Sequence, residues 1–171
     1  FQNKVMYTLG GAGLDSSSLN VNQFAYGELG NFIALSTVNA GDLNGDGYDD
    51  LAIGAPEFID DLLGNTTIQT SGVLLLKCGP NFNGKMSQVI TLSDSSKATG
   101  FGYSVKPAGD FNGDGFKDLF ICSLENTSTD PENPAWGANL YLLPGSSNLE
   151  NVSLQKIELP QQALLMMINV D

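Results

Sequence analysis

The sequence predicts an all-β protein built from repeated antiparallel sheets, and three observations indicate this fold class. One segment occurs twice along the chain with nearly the same residues. The apolar runs are short, and glycine, proline, asparagine or aspartate bounds each of them, which is typical of strands and turns. A long 3.6-residue periodicity free of glycine and proline is missing from the sequence, so we expect no long helix.

The repeat is clearest in two acidic segments. GDLNGDGYDDLAIGAP starts at Gly41 and GDFNGDGFKDLFICSL starts at Gly109, an offset of 68 residues. An apolar run follows each segment and ends in glycine, at Gly79 in SGVLLLKCGP and at Gly145 in ANLYLLPGS. KVMYTLGG, near the start of the chain, is similar to these runs and ends at Gly11. We therefore expect internal repetition to organise the chain.

Each repeat has room for about four strands. In the second repeat we predict strands at residues 101–105, 118–122, 139–143 and 155–159. Four short antiparallel strands per repeat are the unit of a β-propeller blade. The same apolar pattern in the first repeat predicts a second sheet of the same kind.

The predicted organisation is about two and a half blades. Residues 1–29 would be the end of a preceding blade, 30–97 one blade with the first acidic loop, and 98–171 a second blade with the second acidic loop and the start of the next. So short a stack of sheets leaves apolar blade faces uncovered. We therefore expect further blades of the same protein or a protein partner to cover them.

Composition excludes several classes of function. Among the 171 residues, Asp and Glu number 19 and basic residues 7, all of them lysine, so the formal net charge is -12. With this charge and no arginine, nucleic-acid binding is not expected. The absence of histidine removes Ser-His-Asp and Cys-His mechanisms and His-ligated metals, and we expect no enzyme activity. No apolar stretch approaches the ~18 residues of a membrane helix, so we expect no membrane insertion by this segment.

The acidic segments carry oxygen-bearing residues at one shared spacing. Counted from the first aspartate, side-chain donors occupy positions 1, 3, 5 and 9, and position 7 can offer its main-chain carbonyl. Glycine at position 6 lets the chain reverse sharply. Short oxygen ligands around one point suit Ca²⁺, so we predict two calcium sites. The predicted ligands are Asp42, Asn44, Asp46, Tyr48 and Asp50 in the first loop, and Asp110, Asn112, Asp114, Phe116 and Asp118 in the second.

Two other interpretations of these loops are an EF-hand and an ordinary hairpin turn without metal. An EF-hand has glutamate at position 12, where these loops have Ile53 and Ile121, and a strand pattern follows where an EF-hand begins a helix. Asn-Gly and Asp-Gly pairs also favour ordinary hairpin turns that need no metal. A turn alone does not require aspartate at positions 1 and 9 of both copies. We therefore predict metal-tied hairpins between the first and second strands.

With these motifs, GDLNGDGYDDLAIGAP and FGYSVKPAGDFNGDGFKDL resemble the FG-GAP repeats of the integrin α-subunit β-propeller and related extracellular proteins. Phe-Gly is present at 101–102 and Gly-Ala-Pro at 54–56. The first repeat has Phe-Ile-Ala at 32–34 in place of Phe-Gly, and the second has Cys-Ser-Leu at 122–124 in place of Gly-Ala-Pro. The resemblance covers about residues 30–145. It implies a seven-bladed propeller, of which this chain would be a segment.

Three Asn-x-Ser/Thr triplets, at Asn65, Asn126 and Asn151, are candidate glycosylation sites and favour a secretory route. Because successive connections of an up-and-down sheet alternate between its two rims, we expect Asn65 and Asn126 on the rim opposite the acidic loops. The alternative is that the triplets are unused loop sequence. For Cys78 and Cys122, we favour two buried thiols over a disulfide between blades.

These observations favour a calcium-stabilised propeller segment of a secreted or cell-surface protein that mediates adhesion, ligand binding or protein assembly. The calcium would be structural, because it would hold together carboxylates that otherwise repel one another. Two alternatives stay open. One is a structural subunit of an extracellular filament or coat. The other is an accessory propeller of a secreted enzyme similar to the phospholipase D-like proteins that carry FG-GAP repeats.

Overall fold

The computed structural model describes residues 6–7, 22–23, 31–33, 36–60, 68–80, 82, 88–92, 100–126 and 136–160. The strands, numbered in chain order, are β1 (Met6–Tyr7), β2 (Asn22–Gln23), β3 (Asn31–Ile33), β4 (Ser36–Gly41), β5 (Asp50–Asp60), β6 (Ile68–Leu76), β7 (Gln88–Ile90), β8 (Ser104–Gly109), β9 (Asp118–Asn126), β10 (Trp136–Leu143) and β11 (Gln155–Ile157). Within these residues the one helical segment is a 3₁₀ turn, Leu149–Asn151, which is far too short to cross a membrane.

Two antiparallel sheets dominate the fold. We call the sheet of β4, β5, β6 and β7 the first blade and the sheet of β8, β9, β10 and β11 the second blade. In each blade the strands pair in chain order, so every neighbour along the chain is also a neighbour in the sheet. Strands β1 and β2 form a separate two-stranded ribbon. The predicted all-β fold with four-stranded antiparallel blades is confirmed.

The first strand of the second blade differs from the prediction at 101–105. Strand β8 begins only at Ser104, because the chain turns sharply just before it. Gly100 and Gly102 have φ values of +93° and +86°, and the Tyr103 N–H donates to the Gly100 carbonyl at 3.1 Å. Positive φ at two glycines is incompatible with a continuous strand, so the Phe-Gly pair forms a turn instead.

A fifth strand, β3, which the sequence did not predict, joins the sheet of the first blade. Strand β3 pairs with the far half of β5, so that Phe32 lies opposite Phe58, whereas β4 pairs with the near half. β3 lies where the first repeat has Phe-Ile-Ala instead of Phe-Gly. The departure from the repeat motif thus coincides with a strand, where the second repeat has a glycine turn.

The main hydrophobic core lies between the two blades. The first blade contributes two alanines beside larger aliphatic side chains, and the second contributes a phenylalanine and aliphatic side chains. The core members include Ala40, Leu43, Ala52, Val73 and Leu75 from the first blade, and Phe101, Val105, Leu119, Ile121 and Leu143 from the second. Each fully buried large side chain contributes roughly 1.5–3 kcal/mol of transfer free energy. The two blades are therefore held face to face by a shared core.

Close main-chain contacts add to this core. The Phe-Gly turn of the second blade enters the first blade where the latter has glycine: a Cβ atom at Gly54 would overlap the Gly102 carbonyl oxygen, and one at Gly102 would overlap the Gly72 carbonyl oxygen. The Phe101 ring lies beside Tyr141, with an edge-to-face geometry at 5.5 Å. We call Gly54 and Gly72 the glycine socket. The two halves of the repeat motif meet across the blade interface.

Candidate calcium loops

Each blade carries an acidic loop between its first and second strands, as predicted. The first loop, Asp42–Asp50, joins β4 to β5, and the second loop, Asp110–Asp118, joins β8 to β9. The glycines at positions 4 and 6 have φ values of +76° and +88° in the first loop and +76° and +95° in the second. Since a strand follows each loop, the arrangement differs from an EF-hand. The two copies have matching main-chain conformations.

In the first loop the aspartate at position 1 caps the turn. The Asp42 carboxylate accepts main-chain N–H groups from Gly45 at 2.7 Å, Asp46 at 3.0 Å and Gly47 at 2.8 Å. In the second loop the Asp110 carboxylate accepts the N–H of Gly115 at 3.1 Å. In both loops the first carboxylate therefore folds over the turn that follows it.

The residues at positions 3 and 5 make the same bonds in both loops. In the first loop Asn44 Oδ1 accepts the Asp46 N–H at 2.9 Å, and Asp46 Oδ1 accepts the Tyr48 N–H at 3.0 Å. The amide of Asn44 also donates to Asp46 Oδ2 at 3.1 Å. The corresponding distances in the second loop are 2.9, 3.0 and 2.8 Å. The structure thus gathers the predicted side chains at positions 1, 3 and 5 of each loop on one turn.

The aspartate at position 9 has different surroundings. Asp50 is 2% exposed and Asp118 is 0% exposed, although their loops lie at the surface. Asp50 accepts the N–H of Leu43 at 3.1 Å with Oδ2 and the N–H of Cys78 at 2.9 Å with Oδ1. Cys78 follows β6, the third strand of the blade. Asp50 thus ties the start of the loop to the end of a distant strand.

Asp118 does the same in the second blade. Its Oδ2 accepts the N–H groups of Phe111 at 2.8 Å and Asn112 at 3.2 Å, and its Oδ1 accepts the N–H of Gly145 at 2.8 Å. The spacing of the loop predicts position 9 only as a metal ligand and gives no sign of this structural role. A carboxylate has about four lone-pair sites, so these bonds leave acceptor capacity for a cation.

Burial and like charge affect the ionisation of these groups. Burial raises the pKa of Asp50 to about 6; the two N–H donors oppose this rise, and the negative charges of Asp46 and Asp42 add to it. Burial also raises the pKa of the Cys78 thiol, and the charge of Asp50 raises it further. The first loop therefore concentrates negative charge at a partly desolvated position, which a bound cation would stabilise.

The donor set fits a calcium ion by its chemistry. Every predicted ligand atom is an oxygen, and short Asp and Asn side chains fold over a tight turn in both copies. Among the residues that the structure describes, no three Asp, Glu, Cys or His groups converge into a metal centre by themselves. This finding includes the three carboxylates predicted for each loop, so the structure does not bring the full predicted ligand set together around one point. The predicted set also includes asparagine amides and main-chain carbonyls, which calcium loops use.

The other predicted sites have separate locations. Asn126 is the last residue of β9, at the opposite end of that strand from Asp118, which agrees with the predicted rim. Asn65 lies outside the described residues, and Asn151 is exposed in the 3₁₀ turn. Both cysteines are free thiols. The prediction of buried thiols is confirmed for Cys122 and wrong for Cys78, which is partly exposed where the chain leaves β6.

Two four-stranded antiparallel sheets that share a core, each with an acidic hairpin between its first and second strands, define a pair of β-propeller blades. The family model of the FG-GAP repeat matches residues 34–69, a span that includes β4, the first loop and β5. Residues 34–69 therefore match an FG-GAP repeat, which confirms the resemblance seen in the sequence for this span. The second blade has the same loop and strand order.

Proposed function

We propose that this chain is a calcium-binding segment of an extracellular β-propeller that mediates adhesion, ligand binding or protein assembly. The observation that carries the proposal is the agreement of the two acidic loops. They have the same glycine conformations, and their side chains at positions 3 and 5 make the same hydrogen bonds. A hairpin turn by itself does not require this oxygen arrangement, which both copies of the repeat have kept.

Calcium in these loops would be structural. In the first loop Asp42, Asn44 and Asp46 would bind it with side-chain oxygens and Tyr48 with its carbonyl, while Asp50 would bind it and hold the loop to Cys78. Two ions would change the formal net charge from -12 to -8. Extracellular calcium modules bind at ~10⁻⁴–10⁻³ M, which matches calcium levels outside cells and not in resting cytosol.

The same reasoning supports a binding role over an enzymatic one. The chain has no histidine or arginine, and six of its aspartates are predicted calcium ligands. We therefore propose that its partners are other proteins or further blades of its own protein. The three Asn-x-Ser/Thr triplets are consistent with secretion. A filament or coat subunit is the second candidate, favoured by the uncovered Phe111 on the second blade, which is 59% exposed.

Thermal unfolding tests the calcium proposal. We expect the melting temperature of the chain to be higher in 2 mM Ca²⁺ than in excess chelator, and calorimetric titration to give two calcium ions per chain. Mg²⁺ at the same concentration should stabilise less, since it needs stricter octahedral geometry. An identical melting curve with chelator and with calcium would refute structural calcium.

A matched pair of variants makes this test specific. Asp46→Asn and Asp49→Asn each remove one negative charge from the first loop, but only Asp46 is a predicted ligand. Asp49 instead accepts the Asn39 side-chain amide at 2.9 Å on the surface. We expect Asp46→Asn to weaken one calcium site and Asp49→Asn to leave both sites nearly unchanged. Equal effects would mean that the ions respond only to the general negative field.

The second candidate function is tested by the size of the particle. A filament or coat subunit should form larger assemblies in calcium, and Phe111→Ser should abolish them because the substitution removes an exposed apolar ring. Sedimentation velocity with and without calcium measures this directly. A monomer under both conditions would exclude self-assembly and favour a receptor or ligand-binding role.

A further inference from the structure

The two acidic loops are in direct contact across the blade interface. Lys117, at position 8 of the second loop, donates its main-chain N–H to the carbonyl of Asp42, at position 1 of the first loop, at 3.2 Å. Ser146, just after the third strand of the second blade, donates its N–H to the Leu43 carbonyl at 2.8 Å. The start of the first loop is thus held by main-chain donors of the second blade.

These donors are themselves positioned by the second loop. Asp118, at its position 9, binds Phe111 and Asn112 within the loop and Gly145 next to Ser146. Gly145 is packed so closely that a Cβ atom there would overlap the Lys117 carbonyl oxygen and would lie 2.9 Å from the Leu43 carbonyl oxygen. One buried carboxylate therefore joins the second loop to the chain segment that holds the first.

Side chains of the second loop also cover the first. The Phe116 ring lies against Gly45, where an added Cβ atom would be 2.6 Å from Phe116 Cε1. The aliphatic part of Lys117 lies against Gly41, with 2.8 Å from an added Cβ atom to Lys117 Cγ. Phe116 is at position 7, whose carbonyl is a predicted calcium ligand. The main chain of Phe116 therefore belongs to the predicted site of the second loop, whereas its ring packs on the first loop.

We infer, on the basis of the proposed calcium function, that the two sites are coupled: calcium in the second loop raises the calcium affinity of the first. An ion that fixes positions 7 to 9 of the second loop also fixes the Lys117 donor and the Phe116 ring against Asp42 and Gly45. The first loop then loses less conformational entropy when it binds its own ion. By linkage, calcium in the first loop raises the affinity of the second by the same factor.

The coupling factor should be about 5- to 10-fold, at the lower end of the usual range for linked sites. Direct repulsion between the two ions acts in the opposite direction but is screened by salt over a Debye length of ~8 Å at physiological ionic strength. If calcium in one loop increases the affinity of the other in 0.15 M salt, the increase therefore comes from the contact between the loops and not from the charges of the ions.

Terbium luminescence can follow the loops separately, because Tb³⁺ binds calcium-type oxygen sites and is sensitised by nearby tyrosine. The first loop has Tyr48 at position 7, and the second has Phe116. In the full chain of 171 residues, Tb³⁺ emission excited through Tyr48 reports the first loop, and its displacement by Ca²⁺ gives the affinity there. Tyr48→Phe supplies the background from other tyrosines. Tyr48→Phe combined with Phe116→Tyr moves the reporter to the second loop.

The deciding variant is Asp114→Ala, which removes a predicted ligand of the second loop at an exposed position. Because Asp114 Oδ1 also accepts the Phe116 N–H at 3.0 Å, the same measurement is made with Asp110→Ala, whose carboxylate accepts the N–H of the residue before Phe116 instead. We expect each variant to weaken calcium binding in the first loop about 5- to 10-fold. A loss with Asp114→Ala but not with Asp110→Ala would contradict the coupling, because it would come from the Phe116 bond and not from the ion. Glu150→Ala, which removes the same charge from the exposed 3₁₀ turn, is the control and should change the first-loop affinity less than twofold. With the reporter in the second loop, Asp46→Ala should weaken binding there by the same factor.

The outcomes separate the two proposals. If neither loop binds terbium or calcium in the unmodified chain, the proposed calcium function itself is wrong. If both loops bind, but Asp114→Ala changes the first-loop affinity by less than twofold or no more than Glu150→Ala does, the sites are independent and the coupling is wrong. Unequal factors in the two directions would also contradict it, since linkage requires them to be equal.

Discussion

The two acidic loops share a main-chain conformation, yet their surroundings differ. At position 2 of the first loop, Leu43 is 0% exposed because the second blade covers it. At position 2 of the second loop, Phe111 is 59% exposed and contacts Phe120 edge to face at 5.2 Å. The local sequence therefore determines the shape of a loop, whereas the neighbouring blade determines its burial.

The faces of the two blades differ as well. In the second blade Cys122 and Asn139 occupy the positions that Gly54 and Gly72, the glycine socket, occupy in the first. The strand registers show this correspondence, because Ser123 pairs with Asn139 in the second blade as Ala55 pairs with Gly72 in the first. A side chain at the Cys122 position would obstruct the main chain of an entering Phe-Gly turn, because even a Cβ atom at Gly54 would overlap the Gly102 carbonyl oxygen. Whatever covers the second blade must use another contact.

The largest expected effect separates the buried aspartate at position 9 from the exposed one at position 1. Asp118→Ala would leave three main-chain N–H groups without their acceptor, the buried one of Gly145 and the part-buried ones of Phe111 and Asn112. We expect it to lower the free energy of unfolding by about 4 kcal/mol. Asp110→Ala should cost about 1 kcal/mol in calcium-free buffer, because the Asp110 carboxylate is solvated. Urea denaturation in chelator measures both. Equal losses would show that the hydrogen bonds of position 9 add no more stability than those of position 1.

The next effect tests the comparison at position 2 directly. Leu43→Ala should lower the free energy of unfolding by about 3 kcal/mol, the usual cost of a cavity at a fully buried leucine. Phe111→Ala removes a larger side chain but should cost less than about 1 kcal/mol, since the ring is mostly in solvent. The same urea titration serves both variants. A large loss from Phe111→Ala would mean that part of the chain covers this ring in solution.

The glycine socket gives an intermediate effect. Gly54→Ala places a methyl group against the Gly102 carbonyl and should lower the free energy of unfolding by about 2–3 kcal/mol through overpacking. Gly113→Ala is the control for a glycine in open space: an added Cβ there has no neighbour within 4 Å, and only its φ of +76° is unfavourable. That strain costs about 1–2 kcal/mol. Thermal unfolding followed by circular dichroism should rank Gly54→Ala as the more destabilising.

The smallest effect has the opposite sign. Ser123 is 0% exposed, and within the described part of the chain its hydroxyl has no hydrogen-bond partner. The corresponding residue of the first blade is Ala55, the alanine of Gly-Ala-Pro. We expect Ser123→Ala to increase the free energy of unfolding by about 1 kcal/mol, because it removes a buried polar atom that lacks a partner. The melting temperature should rise accordingly. A lower melting temperature would show that the hydroxyl does have one.

The sequence predicted the parts of the fold that local chemistry determines. The glycine spacing and the Asp and Asn residues of the loops specify a turn, and the apolar runs after Asp50 and Asp118 begin the second strand in each blade, as predicted. The start of β8 was misplaced because Phe101 looks like a strand residue in an apolar run. Its ring is in the core, but the glycines on either side of it make a turn.

The role of the aspartates at position 9 depends on contacts that are distant in the chain. Asp50 binds Cys78, 28 residues later, and Asp118 binds Gly145, 27 residues later. Spacing within the loop carries no information about these partners. The nearly equal separations are the one signal in the sequence that could have revealed these partners. In both repeats the segment that follows the third strand lies almost the same number of residues after the aspartate at position 9.

The replacement of the glycine socket by Cys122 and Asn139 gives the array a direction. In this pair of blades the Phe-Gly turn enters the blade that precedes it in the sequence, so the junction has a donating side and a receiving side. The second blade donates such a turn, but Cys122 stands where the receiving blade has Gly54. One side chain, placed on a strand rather than in a loop, therefore sets the polarity of the stack.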